Sequence, residues 1–180
     1  MINRMTPEDN QCEKIFQDLI DKKCIVVSQI IEESDACDYF RAVPPNKIQY
    51  HPDMKGIHRN SITFCILHEE NHNGHPIRTV FSFLLISALL ITLGFVFHFS
   101  IILLIPIILV LGILLKRGEE YSCDEFAASI IKKELKIQEK PSKIIGKTLE
   151  IMPSRWWSAV IHPSHTNRVN NISKRFDENY

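Results

Sequence analysis

No two cysteines in this chain are spaced C-x-x-C. The five that occur, Cys12, Cys24, Cys37, Cys65 and Cys123, are odd in number and widely separated. That excludes a zinc ribbon and argues against a disulfide framework. Reduced thiols facing a cytosol fit the pattern. Net charge is lacking too. Lys and Arg number 21, Asp and Glu 21, over 180 residues, so composition carries no footprint for nucleic acid. Met1 to Lys23 is polar and charged and has no apolar core of a signal peptide. Internal repeats are absent. The one biased tract is Val80 to Leu115, which contains no charged residue.

Periodicity outlines the elements. Thr6 and Pro7 look like a helix start, and Cys12, Ile15, Phe16, Leu19 and Ile20 then recur at helical spacing. Cys24 to Ile31 is β-branched and reads as a strand. Tyr39 to Val43 and Lys47 to His51 flank Pro44-Pro45-Asn46, which predicts a hairpin. Asn60 to Asn73 reads as a helix closed by Gly74 and Pro76. Lys116 to Ile137, Ser142 to Met152 and Ser164 to Phe176 read as three more, with Ser164 as the last N-cap.

The apolar run is the longest single signal. One helix over it would be about 54 Å long, well past the ~30 Å of a bilayer core. Split at His98-Phe99-Ser100, it makes two arms of roughly 25 Å. Arg78 and Lys116 stand at their base and can snorkel. Gly94, Pro106 and Gly112 would kink or closely pack the arms. A membrane hairpin is the expectation, against a very apolar core hairpin as the alternative. With Arg78, Lys116 and Arg117 as positive flanks, the polar parts would face the cytoplasm. Trp156 and Trp157 would anchor at the interface or in the core.

His68-Glu69-Glu70-Asn71-His72 reads as H-E-x-x-H. On a helix the two histidines sit one above the other, so both can hold one Zn²⁺. Glu69 points to the side, where it can take a proton from a zinc-bound water. The competing reading is an exposed polar helix face. A catalytic zinc needs a third protein ligand. His75 is near but falls past the helix end. Glu120 and Asp124 share one helix face. One of the two can bind the metal while the other accepts the free N–H of a ligand histidine. Alternatively Glu119, Glu120, Asp124 and Glu125 are a solvated acidic run. Only an even number of membrane crossings between His72 and Glu120 would let them meet at one ion.

These motifs, in this order, resemble the integral-membrane zinc metallopeptidases of the HtpX and CAAX-prenyl-protease type (metallopeptidase family 48, the gluzincins). That family pairs HExxH with a downstream ExxxD across a membrane hairpin. Here the second motif is Glu120-Tyr121-Ser122-Cys123-Asp124. The late His-Pro element followed by an arginine is His162-Pro163-Ser164-His165-Thr166-Asn167-Arg168. The likeness covers about Cys24 to Phe176. Glu70 and Asn71 depart from it, standing where the family has an apolar residue and glycine. Glu-x-x-Cys-Asp is also similar to the sensor peptidases of the β-lactam response.

The resemblance implies an α+β fold. Residues 1–78 and 116–180 would form one mostly helical, zincin-like metallopeptidase domain with a small β-sheet, and 79–115 an inserted transmembrane helical hairpin. It implies a zinc endopeptidase in the cell membrane, its catalytic domain facing the cytoplasm, acting on a peptide or membrane-protein substrate. A silent membrane-anchored zinc regulator, or a sensor peptidase that cuts one regulator, are the alternatives. His68, His72 and Glu120 would bind one Zn²⁺, Glu69 would be the general base and Asp124 would orient a ligand. His162 and Arg168 would line the cleft and act in catalysis, helping the oxyanion or the ligand carboxylate, and an extended peptide would add along an exposed edge strand, the one containing Lys47 to His51.

Overall fold

Cys12, Ile15, Phe16 and Leu19 form the buried stripe of α1 (Gln11–Asp21), as their spacing requires. In the computed structural model, residues 11–34, 39–54, 56–74, 76–96, 101–152, 160 and 162–177 are described. The expected start at Thr6 and Pro7, along with Cys37, His75, the His98-Phe99-Ser100 break and both tryptophans, lies outside them. After α1, the backbone turns at Lys23 with φ +56°, and Cys24 N–H closes on the Leu19 carbonyl at 2.9 Å.

The expected strand from Cys24 is shorter than its β-branched composition suggests. Only β1 (Gln29–Glu32) pairs. Upstream, the N–H groups of Val26 and Val27 donate instead to the Glu70 carboxylate, at 2.8 and 3.2 Å. A side chain takes the place of a neighbouring strand. β2 (Phe40–Val43) and β3 (Lys47–Tyr50) form the expected antiparallel pair, with Ala42 opposite Ile48. β1 runs parallel to β3 on its other side, so the order is β1-β3-β2. The expectation that Lys47 to His51 is an open edge is therefore corrected. β3 is the central strand, and its backbone groups are taken on both sides.

α2 (Arg59–Gly74) carries the H-E-x-x-H residues and is buried on nearly every face, through Ile62, Phe64, Cys65, Ile66 and Leu67. It packs on α1, on the sheet and on two later helices, so it forms the axis of the core. Next come α3 (Pro76–Val96) and α4 (Ile101–Lys133), packed against each other. Gly112 permits their close approach, because a Cβ there would meet Phe83 Cε2 at 3.0 Å. α5 (Pro141–Ile151) opens with proline at its first turn, where the missing N–H is harmless. In α6 (His165–Ile172), Ser164 is the N-cap, its Oγ accepting the Asn167 N–H at 3.2 Å. A π-helical turn, Ser173–Asp177, follows.

The membrane hairpin is corrected. Among the described residues no helix is long and apolar enough to cross a membrane. The apolar part of α4 ends at Leu115, and the same helix continues through Lys116, Arg117, Glu119 and Glu120. From Ile101 that part is about 22 Å long, short of the ~30 Å hydrocarbon layer. The described side chains of α3, Phe81 to Phe95, reach about the same length. They leave an apolar surface: Phe81, Leu84, Leu85 and Leu89 on α3, and Ile105, Leu109, Val110 and Leu114 on α4, are more than half exposed. The fold is mostly helical, with one small three-stranded mixed sheet and no transmembrane hairpin among the described residues.

Ile131 of α4 is wholly buried in the core. Ile131→Ala should cost about 2–5 kcal/mol in urea unfolding, while exposed Glu150→Ala should stay within about 0.5 kcal/mol.

Candidate metal centre

Helix geometry brings His68 and His72 together, and packing brings α4 to them. Their ring centroids are 4.9 Å apart, and the two Nε2 atoms face each other at 3.2 Å. Glu120, buried on α4, places Oε2 at 3.5 Å from His68 Nε2 and Oε1 at 3.3 Å from His72 Nε2. Cys123, three residues further along the same helix, is also buried. Its sulfur belongs with both histidines to a set of three donor atoms within 4.8 Å of one another.

Other charges surround these donors. Asp124 Oδ1 lies 3.0 Å from His68 Nδ1. Arg168 of α6 grips the same carboxylate with two hydrogen bonds, Nε to Oδ2 at 2.7 Å and Nη2 to Oδ1 at 2.6 Å. Its Nη1 is 3.8 Å from Glu120 Oε2. His162 Nδ1 is 3.1 Å from the same oxygen. On the other side Glu119 Oε1 meets His72 Nδ1 at 2.8 Å, and Lys116 Nζ reaches Glu119 Oε2 at 3.3 Å and Glu120 Oε1 at 3.5 Å.

The remaining polar residues of the motif point elsewhere. Glu69 Oε2 accepts the Ala42 N–H of β2 at 2.6 Å. Asn71 Nδ2 donates to Cys123 Sγ at 3.3 Å. His165 is exposed at the start of α6, away from this cluster. His51 and His58 accept nearby backbone N–H groups, those of Asp53 and Asn60.

Burial opposes the charged form of both motif histidines, but the carboxylates outweigh it. Asp124 and Glu120 raise His68 to about 10. Contacts with Cys123, Glu119 and Glu120 raise His72 to about 12. Burial would push Glu120 up, yet hydrogen bonding with His162, His68 and His72 holds it well below the carboxylate range. Arg168 and His68 lower Asp124 in the same way against its own burial. Two protonated rings would aim N–H groups at each other across 3.2 Å. A cation at their common point replaces those protons, so the residues present fit a metal ion.

His68, His72, Glu120, Asp124, His162 and Arg168 thus meet in one network, and Glu69 lies beside it with its carboxylate on β2. Cys123 and Glu119 were not among the residues expected here. The signal for Cys123 is its i+3 spacing from Glu120, which puts a soft donor on the same helix face. Glu119 had no such signal apart from the acidic run.

No family model matches the chain, and no match was found among curated proteins or solved structures. The likeness to membrane zinc peptidases is corrected on the geometry. Three donors that lie within 4.8 Å of one another and could hold a metal are His68, His72 and Cys123, and a cysteine has no place in the donor set of HExxH followed by ExxxD. The endopeptidase expectation falls with it. The membrane-embedded enzyme, the anchored regulator and the sensor peptidase lose their common basis, because no described helix can cross a membrane. The expected lipid-bilayer partner and integral cell-membrane location are corrected to the same extent: among the described residues no helix is long and apolar enough to cross a membrane. The peptide substrate rested on the protease reading alone.

Raised histidines stabilise the metal-free fold fully below their ordinary value of 6.5, and that contribution is lost as pH rises through about 10 and 12. Lowered Glu120 and Asp124 act in the opposite sense, contributing above 4.5 and 3.8 and losing that contribution as pH falls. The melting temperature of chelator-treated protein should therefore peak between about pH 4.5 and 6.5 and decline on either side. A melting temperature that climbs from pH 7 to pH 10 would contradict this sign.

Proposed function

We propose that this chain is a metal-binding domain that holds one zinc ion between α2 and α4. Its ligands are the Nε2 atoms of His68 and His72 and the carboxylate of Glu120. The observation that carries the reading is the convergence of three groups: the two Nε2 atoms are 3.2 Å apart, and the Glu120 carboxylate reaches both, Oε1 at 3.3 Å from His72 Nε2 and Oε2 at 3.5 Å from His68 Nε2. Donors about 2.0–2.1 Å from one tetrahedral ion stand roughly 3.3 Å apart. Nitrogen with carboxylate or thiolate donors suits zinc better than magnesium or calcium, which prefer oxygen alone. Asp124 backs the His68 ring. Arg168 and His162 hold the carboxylates, and Glu69 is not a ligand, its carboxylate accepting the Ala42 N–H of β2.

A second reading gives the third donor position to Cys123, because its sulfur joins both histidines within 4.8 Å. Cobalt substitution separates the two. An intense near-ultraviolet thiolate-to-cobalt band, abolished by Cys123→Ser, selects Cys123. Its absence, with loss of cobalt in Glu120→Gln, selects Glu120.

Elemental analysis of purified protein should find one zinc per chain. The double substitution His68→Ala, His72→Ala should empty the site, and Glu69→Gln should leave it filled. Full zinc retention in the double variant would refute the assignment.

A further inference from the structure

His68 and His72 are held from behind by different residues of α4, and the second of these has no assigned role. Asp124 Oδ1 lies 3.0 Å from His68 Nδ1, and Glu119 Oε1 lies 2.8 Å from His72 Nδ1. In both rings the nitrogen away from the cluster meets a carboxylate, and Nε2 faces inward. We infer that Glu119 is the positioning residue of His72: it keeps the proton on Nδ1, leaves the Nε2 lone pair for the ion and fixes the ring plane. This rests on the metal reading above and extends it to a residue that the motif does not contain.

Chemistry supports the role. A neutral imidazole carries one proton on one of two nitrogens, and the hydrogen bond at the far nitrogen decides which. A carboxylate there also makes the inward nitrogen a stronger donor. Glu119 is suited to this because it is itself held. Its second oxygen is 3.3 Å from Lys116 Nζ one helical turn back, and its side chain is largely buried. Spacing accounts for the division of labour along α4. Glu119 backs one histidine, Glu120 faces both inward nitrogens, and Asp124, one turn beyond Glu120, backs the other histidine. The two ends differ in support. Arg168 clamps Asp124 bidentately in the interior, whereas Lys116 holds Glu119 from a position about one-third exposed.

The test is zinc affinity measured by competition with a chromogenic chelator. Glu119→Gln should weaken binding about 10–100-fold, the usual loss for such a partner. Glu119→Asp should recover part of that loss. Lys116→Met, which leaves Glu119 in place, should cost less than Glu119→Gln. A merely structural role would instead lower the melting temperature of the metal-free protein and leave the affinity of the folded fraction unchanged. Nitrogen-15 NMR of the zinc-loaded wild type gives a readout that needs no variant. The His72 ring should carry its proton on Nδ1, and a proton on Nε2 would overturn the inference. Wild type that binds zinc alongside an equally tight Glu119→Gln would also overturn it while leaving the metal reading intact. Wild type that takes up no zinc would overturn the metal reading and, with it, this inference.

Discussion

Two carboxylates buried on one helix set the arrangement of everything near them. Glu120 and Asp124 are almost fully removed from solvent. An unpaired buried carboxylate costs several kcal/mol, so neither tolerates the loss of its partners. Asp124 is paired with Arg168 from α6 and with His68 from α2. Glu120 is paired with His68, His72 and His162. α2, α4, α6 and the segment before α6 are thereby tied at one point. Apolar packing alone would allow small slides of these helices. The forked Arg168 contact does not, because both of its hydrogen bonds depend on the same ring-like geometry.

α2 is anchored along its length by the residues that make its sequence look unlike a core helix. From His68 to Asn73 every side chain is polar, and together they reach α4, the sheet and the segment before β1. Glu69 takes an N–H of β2, Glu70 takes two N–H groups of the segment before β1, and Asn73 donates to the Lys47 carbonyl at 2.8 Å. Asn71 reaches Cys123 on α4. Buried polar groups must be satisfied, and here satisfying them positions the sheet on one side of the helix and the metal cluster on the other. Glu70 and Asn71, which depart from the peptidase pattern, have these structural partners.

α4 carries two surfaces of different character on one continuous axis. Its first half packs on α3 and leaves large apolar side chains in the open. That surface is larger than isolated exposed residues produce. Its second half carries the buried carboxylates and Cys123. Because the helix does not break at Lys116, the orientation of the apolar half and that of the cluster are rigidly linked.

Much of the local structure was legible in the chain. Helical spacing marks the buried stripe of α1, Gly74 and Pro76 close α2, Ser164 caps α6, and Pro44-Pro45-Asn46 turns β2 into β3. The i, i+4 spacing alone puts His68 over His72 and Glu120 on one face with Asp124, because helix pitch requires it. Pattern could not say that β1 joins the far side of β3, since a parallel partner is chosen by packing rather than by a turn. Nor could an uncharged run reveal that its second arm continues unbroken into the helix that carries the buried carboxylates. Cys123 and Glu119 entered the cluster for the same reason. Residues 47 and more positions away from the histidines meet them only when two helices pack at one particular rotation. That rotation is decided jointly by core burial, the Arg168 fork and the pairing of buried charge, none of which is a property of either segment alone.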